Sequence, residues 1–116
     1  MYKDDLRKLI GQEVEVIIDR PLGSFHPDYP EMKYELNYGF IKGMIAPDGE
    51  EQDAYVLGTD EPLETAKGKV IAIIHRNDDV EEKLVVSVSS YDYSDEEIRL
   101  LTDFQERYFD SEILRR

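Results

Sequence analysis

The chain has 116 residues, and 14 basic against 27 acidic side chains give it a formal net charge of −13 at pH 7. This length predicts one domain over residues 1–116, because domains cluster at roughly 100–150 residues. The absence of cysteine excludes a disulfide framework, a thiolate zinc site and a cysteine nucleophile. The negative charge argues against nucleic-acid binding, which needs a basic face.

Nothing in the apolar pattern predicts a membrane or secretory segment. The longest uninterrupted apolar run, residues 70–74, is far shorter than the roughly 20 residues needed to span a bilayer. Residues 1–8 lack the apolar stretch of a secretory signal. We therefore expect a cytoplasmic protein with no membrane partner.

Five short segments carry the apolar–polar alternation or the β-branched residues that are typical of strands. In chain order they are residues 13–19, 34–45, 53–57, 69–76 and 83–89. A short leading helix is predicted before them and ends at Gly11. A proline-rich loop over residues 20–33 separates the first two strands. Gly39 and Gly43 predict bulges or points of close backbone approach in the second strand.

The last predicted element is a helix that begins after Ser94. Ser94 and Glu97 have the spacing of a capping box, in which each side chain accepts a hydrogen bond from the other residue's backbone N–H. Leu101, Phe104 and Tyr108, at i, i+3 and i+7, form its predicted apolar stripe. Five strands and a terminal helix predict a β-rich α+β fold, either a small closed or partly open antiparallel barrel or an open sandwich.

Two acidic turns carry most of the candidate chemistry. The first places Asp48, Glu50 and Asp53 around a glycine. A tight turn that enters a strand can direct such carboxylates at one point, and hard cations such as Mg²⁺ prefer oxygen clusters of this kind. Taken alone, an acidic turn is more often a solvated connection.

The second acidic turn covers residues 78–83. If it enters the following strand, Glu81 and Lys83 lie on one face because side chains alternate along a strand. A carboxylate beside an ammonium group suits a metal-bridged phosphate, since one group holds the cation and the other holds the phosphate oxygen.

The chain reads Tyr-Glu-Leu-Asn-Tyr-Gly from Tyr34 and Asp-Gly-Glu-Glu-Gln-Asp from Asp48. These segments resemble the core signature of the soluble family I inorganic pyrophosphatases, which reads Tyr-Pro-x-Asn-Tyr-Gly and then Asp-Gly-Asp-x-x-Asp. The similarity covers most of residues 13–109. It implies a five-stranded OB-like antiparallel barrel with a short N-terminal helix and a C-terminal helix. It also implies hydrolysis of pyrophosphate by a water that Mg²⁺, or alternatively Mn²⁺, activates.

The resemblance also implies a role for each matching residue. Six carboxylates of this chain correspond to residues that bind or lie near the metals: Asp53, Asp48, Glu81, Asp19, Asp78 and Asp79. Of these, Asp78 and Asp79 are alternatives for a single metal ligand of the family. Four further side chains correspond to groups that position the attacking water or contact phosphate oxygens: Glu50, Lys83, Tyr38 and Tyr108.

The chain departs from the family pattern in its phosphate-binding part. The segment between Asp19 and Tyr34 is shorter than the family's hairpin, which carries phosphate-binding cations, and Phe109 stands where the family has a lysine. Glu50 and Glu81 replace aspartates. Candidate substitutes for the missing groups are Arg20, His26 and Lys33.

Two further interpretations stay open. One is a catalytically weak or inactive barrel that binds a metal–phosphate ligand as a sensor or subunit, and the other is an acidic interaction module. Self-association into a homo-oligomer also stays open.

Overall fold

The computed structural model describes residues 6–46, 49–78 and 81–115. Its regular elements, in chain order, are β1 (Glu13–Arg20), β2 (Asn37–Ile45), β3 (Glu51–Leu57), β4 (Thr65–Arg76), β5 (Glu82–Ser87), α1 (Asp95–Glu106) and β6 (Ser111–Leu114). All five predicted strands and the C-terminal helix are present. Within the described ranges, no helix has the length and hydropathy required to cross a bilayer.

Five of the strands close into a barrel. The strand order is β1-β2-β3-β5-β4, and an additional pairing of β1 with β4 completes the ring. The prediction of a small OB-like barrel is therefore confirmed. The structure differs from it in two details: β3 and β5 run parallel, and a sixth strand, β6, pairs with the second half of β4.

The barrel is buried on both sides at β3 and β5. Ala54 and Val56 point into the barrel core, whereas Tyr55 and Leu57 pack in a second cluster with the helix residues Ile98 and Phe104. Because side chains alternate along a strand, every second residue of β3 and β5 faces the helix side of the sheet. The candidate functional side chains lie on that side.

Two residues of the Tyr34–Gly39 segment hold the backbone in place. A Cβ on Gly39 would lie 1.9 Å from the carbonyl oxygen of Ile17, so the predicted close approach of β1 and β2 is present. The buried side chain of Asn37 accepts hydrogen bonds from the backbone N–H groups of Leu22 and Leu63, both at 3.0 Å. It therefore fixes the loop between β1 and β2 and the loop between β3 and β4.

The helix begins as predicted and ends earlier. Both hydrogen bonds of the capping box between Ser94 and Glu97 are formed. The expected apolar stripe is partly wrong: the helix ends at Glu106, and Tyr108 lies beyond it with 67% of its surface exposed. Ile98, which is completely buried, takes its place in the packing. At the N-terminal end of the described residues, Leu6 and Arg7 are helical and a turn continues to Gly11.

Candidate active site

A cavity of about 690 Å³ lies on the helix side of the barrel. Its walls come from the end of β1, from β2, β3, β4 and β5, from the end of α1 and from the loop between β1 and β2. That loop is held by backbone hydrogen bonds between Gly23 and Tyr34 and between His26 and Met32. The proline-rich segment is therefore an ordered wall of the cavity.

Lys83 is the central cation of the site. Its Nζ donates to Asp53 Oδ2 at 2.7 Å and to Glu81 Oε1 at 2.5 Å, and the lysine side chain is 4% exposed. The Tyr38 hydroxyl donates to the same Asp53 oxygen at 2.9 Å. Burial raises the pKa of Tyr38 well above its usual value near 10, and the charge of Asp53 raises it further. Tyr38 is therefore a neutral hydrogen-bond donor at physiological pH.

A second carboxylate, Asp19, lines the same cavity from the end of β1. Desolvation by burial raises the pKa of Asp19, the positive charge of Arg20 opposes the rise, and repulsion from Asp53 adds to it. Asp19 and Asp53 therefore interact as like charges across one space. A cation between them would relieve this repulsion.

Arg76 places a second buried cation beside the cavity. Its guanidinium donates to both oxygens of the Glu106 carboxylate, at 3.1 and 2.8 Å, and stacks 3.6 Å above the Phe109 ring. Although burial opposes the charged form, the hydrogen bonds and charge of Glu106 hold the pKa of Arg76 above its usual value. Its Nη1 atom lies 3.6 Å from Glu81, so both buried cations flank that carboxylate.

A series of side-chain hydrogen bonds leads to Glu106, the carboxylate that holds Arg76. The Tyr34 hydroxyl donates to Gln105 Oε1 at 2.9 Å, Gln105 Nε2 donates to the Tyr55 hydroxyl at 2.7 Å, and that hydroxyl donates to Glu106 at 2.6 Å. Burial and the charge of Glu106 raise the pKa of Tyr55 well above its usual value near 10. These hydrogen bonds connect the loop between β1 and β2, strand β3 and the end of α1 beside the Arg76 guanidinium.

The structure brings together only part of the predicted site. Asp53, Lys83, Tyr38 and Glu81 form one contact cluster, in which Glu81, the residue before β5, contacts Lys83. Two more predicted residues, Asp19 and Tyr108, line the same cavity.

The remaining predicted residues lie elsewhere. Glu50 is exposed on the turn before β3 and does not line the cavity. Asp78 is also exposed, and its carboxylate accepts a hydrogen bond from the backbone of Asp110, so it is not gathered with the other carboxylates. Asp48 and Asp79 lie outside the described residues.

Sequence reasoning missed Arg76, Gln105 and Glu106. Arg76 has a local signal, because the period-two pattern of β4 through Ala72 and Ile74 puts it on the face that packs against the helix. Gln105 and Glu106 have none, since polar residues near the end of a helix are ordinarily solvated.

The described residues offer a small set of candidate ligands for a hard divalent cation. Within residues 6–46, 49–78 and 81–115, no group of three or more His, Asp or Glu side chains could hold a metal ion. Mg²⁺ commonly uses only one or two carboxylates together with substrate phosphates and waters. Asp19 and Asp53, two mutually repelling carboxylates on one cavity, meet that requirement.

The closed OB-type barrel carries an outer cavity that is lined by both acidic and basic side chains. These features define a class of barrel protein whose cavity is suited to a cation together with an anionic ligand. Arg20, Arg76 and Lys83 balance the three acidic residues of the cavity wall in a chain of net charge −13. A family model described as inorganic pyrophosphatase matches residues 12–113. The chain therefore belongs to the inorganic pyrophosphatase family, and it is a hydrolase of the inorganic diphosphatase type.

Solved structures of inorganic pyrophosphatases share the fold. The structure from Ehrlichia chaffeensis has a TM-score of 0.68 and 19% identity over 89% of this chain and 85% of that chain. The structure from Neisseria gonorrhoeae has a TM-score of 0.64 and 22% identity over 84% and 74% of the respective chains. The structure from Helicobacter pylori has a TM-score of 0.64 and 18% identity over 88% and 82%. No curated protein sequence matches this chain significantly.

Proposed function

We propose that the protein hydrolyses inorganic pyrophosphate to phosphate with Mg²⁺ as the divalent ion, Mn²⁺ being an alternative. The observation that carries the proposal is the contact of Lys83 and Tyr38 with one oxygen of Asp53 inside a cavity that also holds Asp19. These contacts support the proposal, because two carboxylates that could hold a cation line the same cavity as the Lys83 ammonium group, a donor suited to phosphate oxygens.

In this proposal Asp53 and Asp19 hold the metal. When bound, the divalent ion neutralises phosphate oxygens and lowers the pKa of a water. Asp48, which the sequence pairs with Asp53, remains a predicted ligand outside the described residues. Glu50 and Asp78 do not line the cavity, so the proposal does not depend on them.

The chain's own residues then bind and orient the phosphates. Lys83 and Arg76, both almost fully buried, are cations with fixed positions, and a fixed charge stabilises developing negative charge without the reorganisation that water requires. The neutral Tyr38 hydroxyl holds the Asp53 carboxylate in one orientation. Tyr108 lines the cavity and is exposed, and it remains a predicted donor to a phosphate oxygen.

A second candidate function is a binding protein that holds a metal–phosphate ligand without turnover. The observation in its favour is that acidic partners already engage both buried cations: Asp53 and Glu81 engage Lys83, and Glu106 engages Arg76. A ligand phosphate would have to compete with these carboxylates.

The test compares phosphate release from pyrophosphate by the wild type and by Asp53→Asn, with Mg²⁺ and with Mn²⁺. We expect the substitution to lower kcat by about 100-fold or more, because it removes the metal-binding charge while keeping the shape of the side chain. Asp60→Asn, an exposed aspartate that does not line the cavity, is the matched control and should keep full activity.

Each outcome separates the candidates. Turnover that survives Asp53→Asn unchanged refutes the site assignment. If neither metal supports release, but calorimetry detects Mg²⁺–pyrophosphate binding that Asp53→Asn abolishes, the binding protein is the correct reading. If neither release nor binding is detected, the carboxylates are solvated surface.

A further inference from the structure

We propose that the cavity accepts a phosphoanhydride that carries a planar aromatic group, such as a nucleoside diphosphate, in addition to inorganic pyrophosphate. The phosphate end of this proposal rests on the proposed function above. The aromatic end rests on the size of the cavity and on the chemistry of the wall formed by the loop between β1 and β2.

The cavity is larger than inorganic pyrophosphate requires. At about 30 Å³ per water molecule in the liquid, a volume of 690 Å³ holds roughly 23 waters. Pyrophosphate has nine non-hydrogen atoms, so it would occupy less than half of that space. A nucleoside diphosphate is close to the size of the whole cavity, which also falls in the range of pockets that enclose organic ligands.

A series of aromatic rings runs along one wall of the cavity, from Tyr38, whose ring centroid is 5.8 Å from Lys83 Nζ, to the exposed Tyr29. His26 contacts the Tyr29 ring at a centroid distance of 4.9 Å and lies parallel to Tyr34 within 11° at 6.2 Å. Tyr34 contacts Tyr38 at 5.6 Å. Tyr34 and Tyr38 are buried, so the accessible end of the series is Tyr29, against which the His26 ring packs. An exposed aromatic ring offers a face on which a flat ligand group can stack.

Burial and charge change together across the cavity. The cations Lys83 and Arg76 are 4% and 5% exposed, whereas the Tyr29 and Tyr108 rings are 61% and 67% exposed. The proposed function uses the buried cations and Tyr108 for the phosphates and leaves Tyr29 unused. Tyr29, an exposed tyrosine on the wall of the same cavity, matches a ligand whose outer part is a flat, weakly polar ring, because aromatic stacking tolerates any base.

The hydrolysis of such a substrate balances as the hydrolysis of pyrophosphate does. A water oxygen bonds to the terminal phosphorus, and the bond from that phosphorus to the bridging oxygen breaks. The products are a nucleoside monophosphate and orthophosphate, with one proton released to solvent. No oxidant, reductant or further co-reactant is required.

The experiment measures binding of adenosine diphosphate, adenosine monophosphate and pyrophosphate to the intact protein by calorimetry, with Mg²⁺ present. For the wild type we expect the nucleotide to bind at least as tightly as adenosine monophosphate and pyrophosphate do separately. Tyr29→Ala should weaken nucleotide binding roughly tenfold, the loss typical of one stacking partner, and leave pyrophosphate binding unchanged. Tyr29→Phe should keep wild-type affinity, because the ring face remains.

Tyr91→Ala is the matched control, since Tyr91 is an exposed tyrosine outside the cavity. It should change neither affinity. The proposal is overturned if adenosine diphosphate does not bind while pyrophosphate does, or if Tyr29→Ala weakens both ligands equally. It stands, and the proposed function fails, if the nucleotide binds in a Tyr29-dependent way but pyrophosphate is not hydrolysed.

Discussion

Lys83→Met removes the ammonium group that sits between two carboxylates of the candidate site. Methionine is close to lysine in length and volume, so the change deletes the charge with little change in packing. Asp53 Oδ2 and Glu81 Oε1 then face each other without the shared donor. We expect a less stable protein at pH 7 and a new preference for a divalent cation at this place.

The size of the effect follows from the geometry. Both oxygens contact the same Nζ, at 2.7 and 2.5 Å, so they lie within about 5 Å of each other. Two like charges at that distance repel by about 1 kcal/mol in water and about 3 kcal/mol at an effective dielectric constant near 20. Since the two side chains are 37% and 33% exposed, solvent screens them partly, and we expect a loss of about 1–3 kcal/mol.

The assay is thermal or urea unfolding of the wild type, Lys83→Met and Lys67→Met, each with and without Mg²⁺. Lys67 is an exposed lysine of β4 that does not line the cavity, so its replacement is the control for the loss of a positive charge. A loss of 1–3 kcal/mol corresponds to a fall in Tm of roughly 4–12 °C for a domain of this size. Mg²⁺ should restore much of the loss in Lys83→Met, because a ligand that binds only the folded state stabilises it.

Measuring the pyrophosphatase activity of Lys83→Met tests the same residue independently of stability. If Lys83 binds a phosphate oxygen, Lys83→Met should lower kcat for pyrophosphate by about 100-fold or more even where Mg²⁺ restores the stability. The reasoning is refuted if Lys83→Met unfolds with the same Tm as Lys67→Met, or if Mg²⁺ stabilises both variants equally.

The remaining predictions concern the like-charge pair and the barrel backbone. The raised pKa of Asp19 means that its charged form is disfavoured in the folded state, so it lowers stability at neutral pH and this penalty disappears as pH falls below its usual value near 3.8. Asp19→Asn should therefore raise the free energy of unfolding in metal-free buffer at pH 7 by less than about 1 kcal/mol, and by a smaller amount at pH 4. The same substitution should weaken Mg²⁺ binding. An Asp19→Asn variant less stable than the wild type at pH 7 would contradict this reasoning. Gly39→Ala should cost about 3 kcal/mol or more in urea unfolding, because its Cβ would overlap the backbone of Ile17 at 1.9 Å, and a cost below 1 kcal/mol would show that the two strands can separate there.

The sequence alone predicts the parts of this protein that depend on local pattern. Period-two alternation or runs of β-branched residues identify the five strands of the barrel, and the Ser94–Glu97 spacing identifies the start of the helix, because neighbouring residues decide these features. The resemblance to the pyrophosphatase signature adds the family and the order of the candidate carboxylates, and two of the candidate residues, Glu81 and Lys83, are in contact in the structure. Tyr108 shows the limit of periodicity, since a spacing of seven residues does not reveal that the helix has already ended.

Only the tertiary structure decides which of these charges meet. Asp53 and Lys83 are adjacent because β3 and β5 pair in parallel, a contact between segments that local pattern cannot register. Glu106, from the end of the helix, reaches Arg76 at the end of β4, so a buried cation stands in the cavity where the sequence pointed mainly to carboxylates. Asp78 belongs to the acidic turn by sequence but lies outside the cavity. The physical reason is that electrostatic interaction depends on distance and burial, and the packing of the barrel against loop and helix determines both.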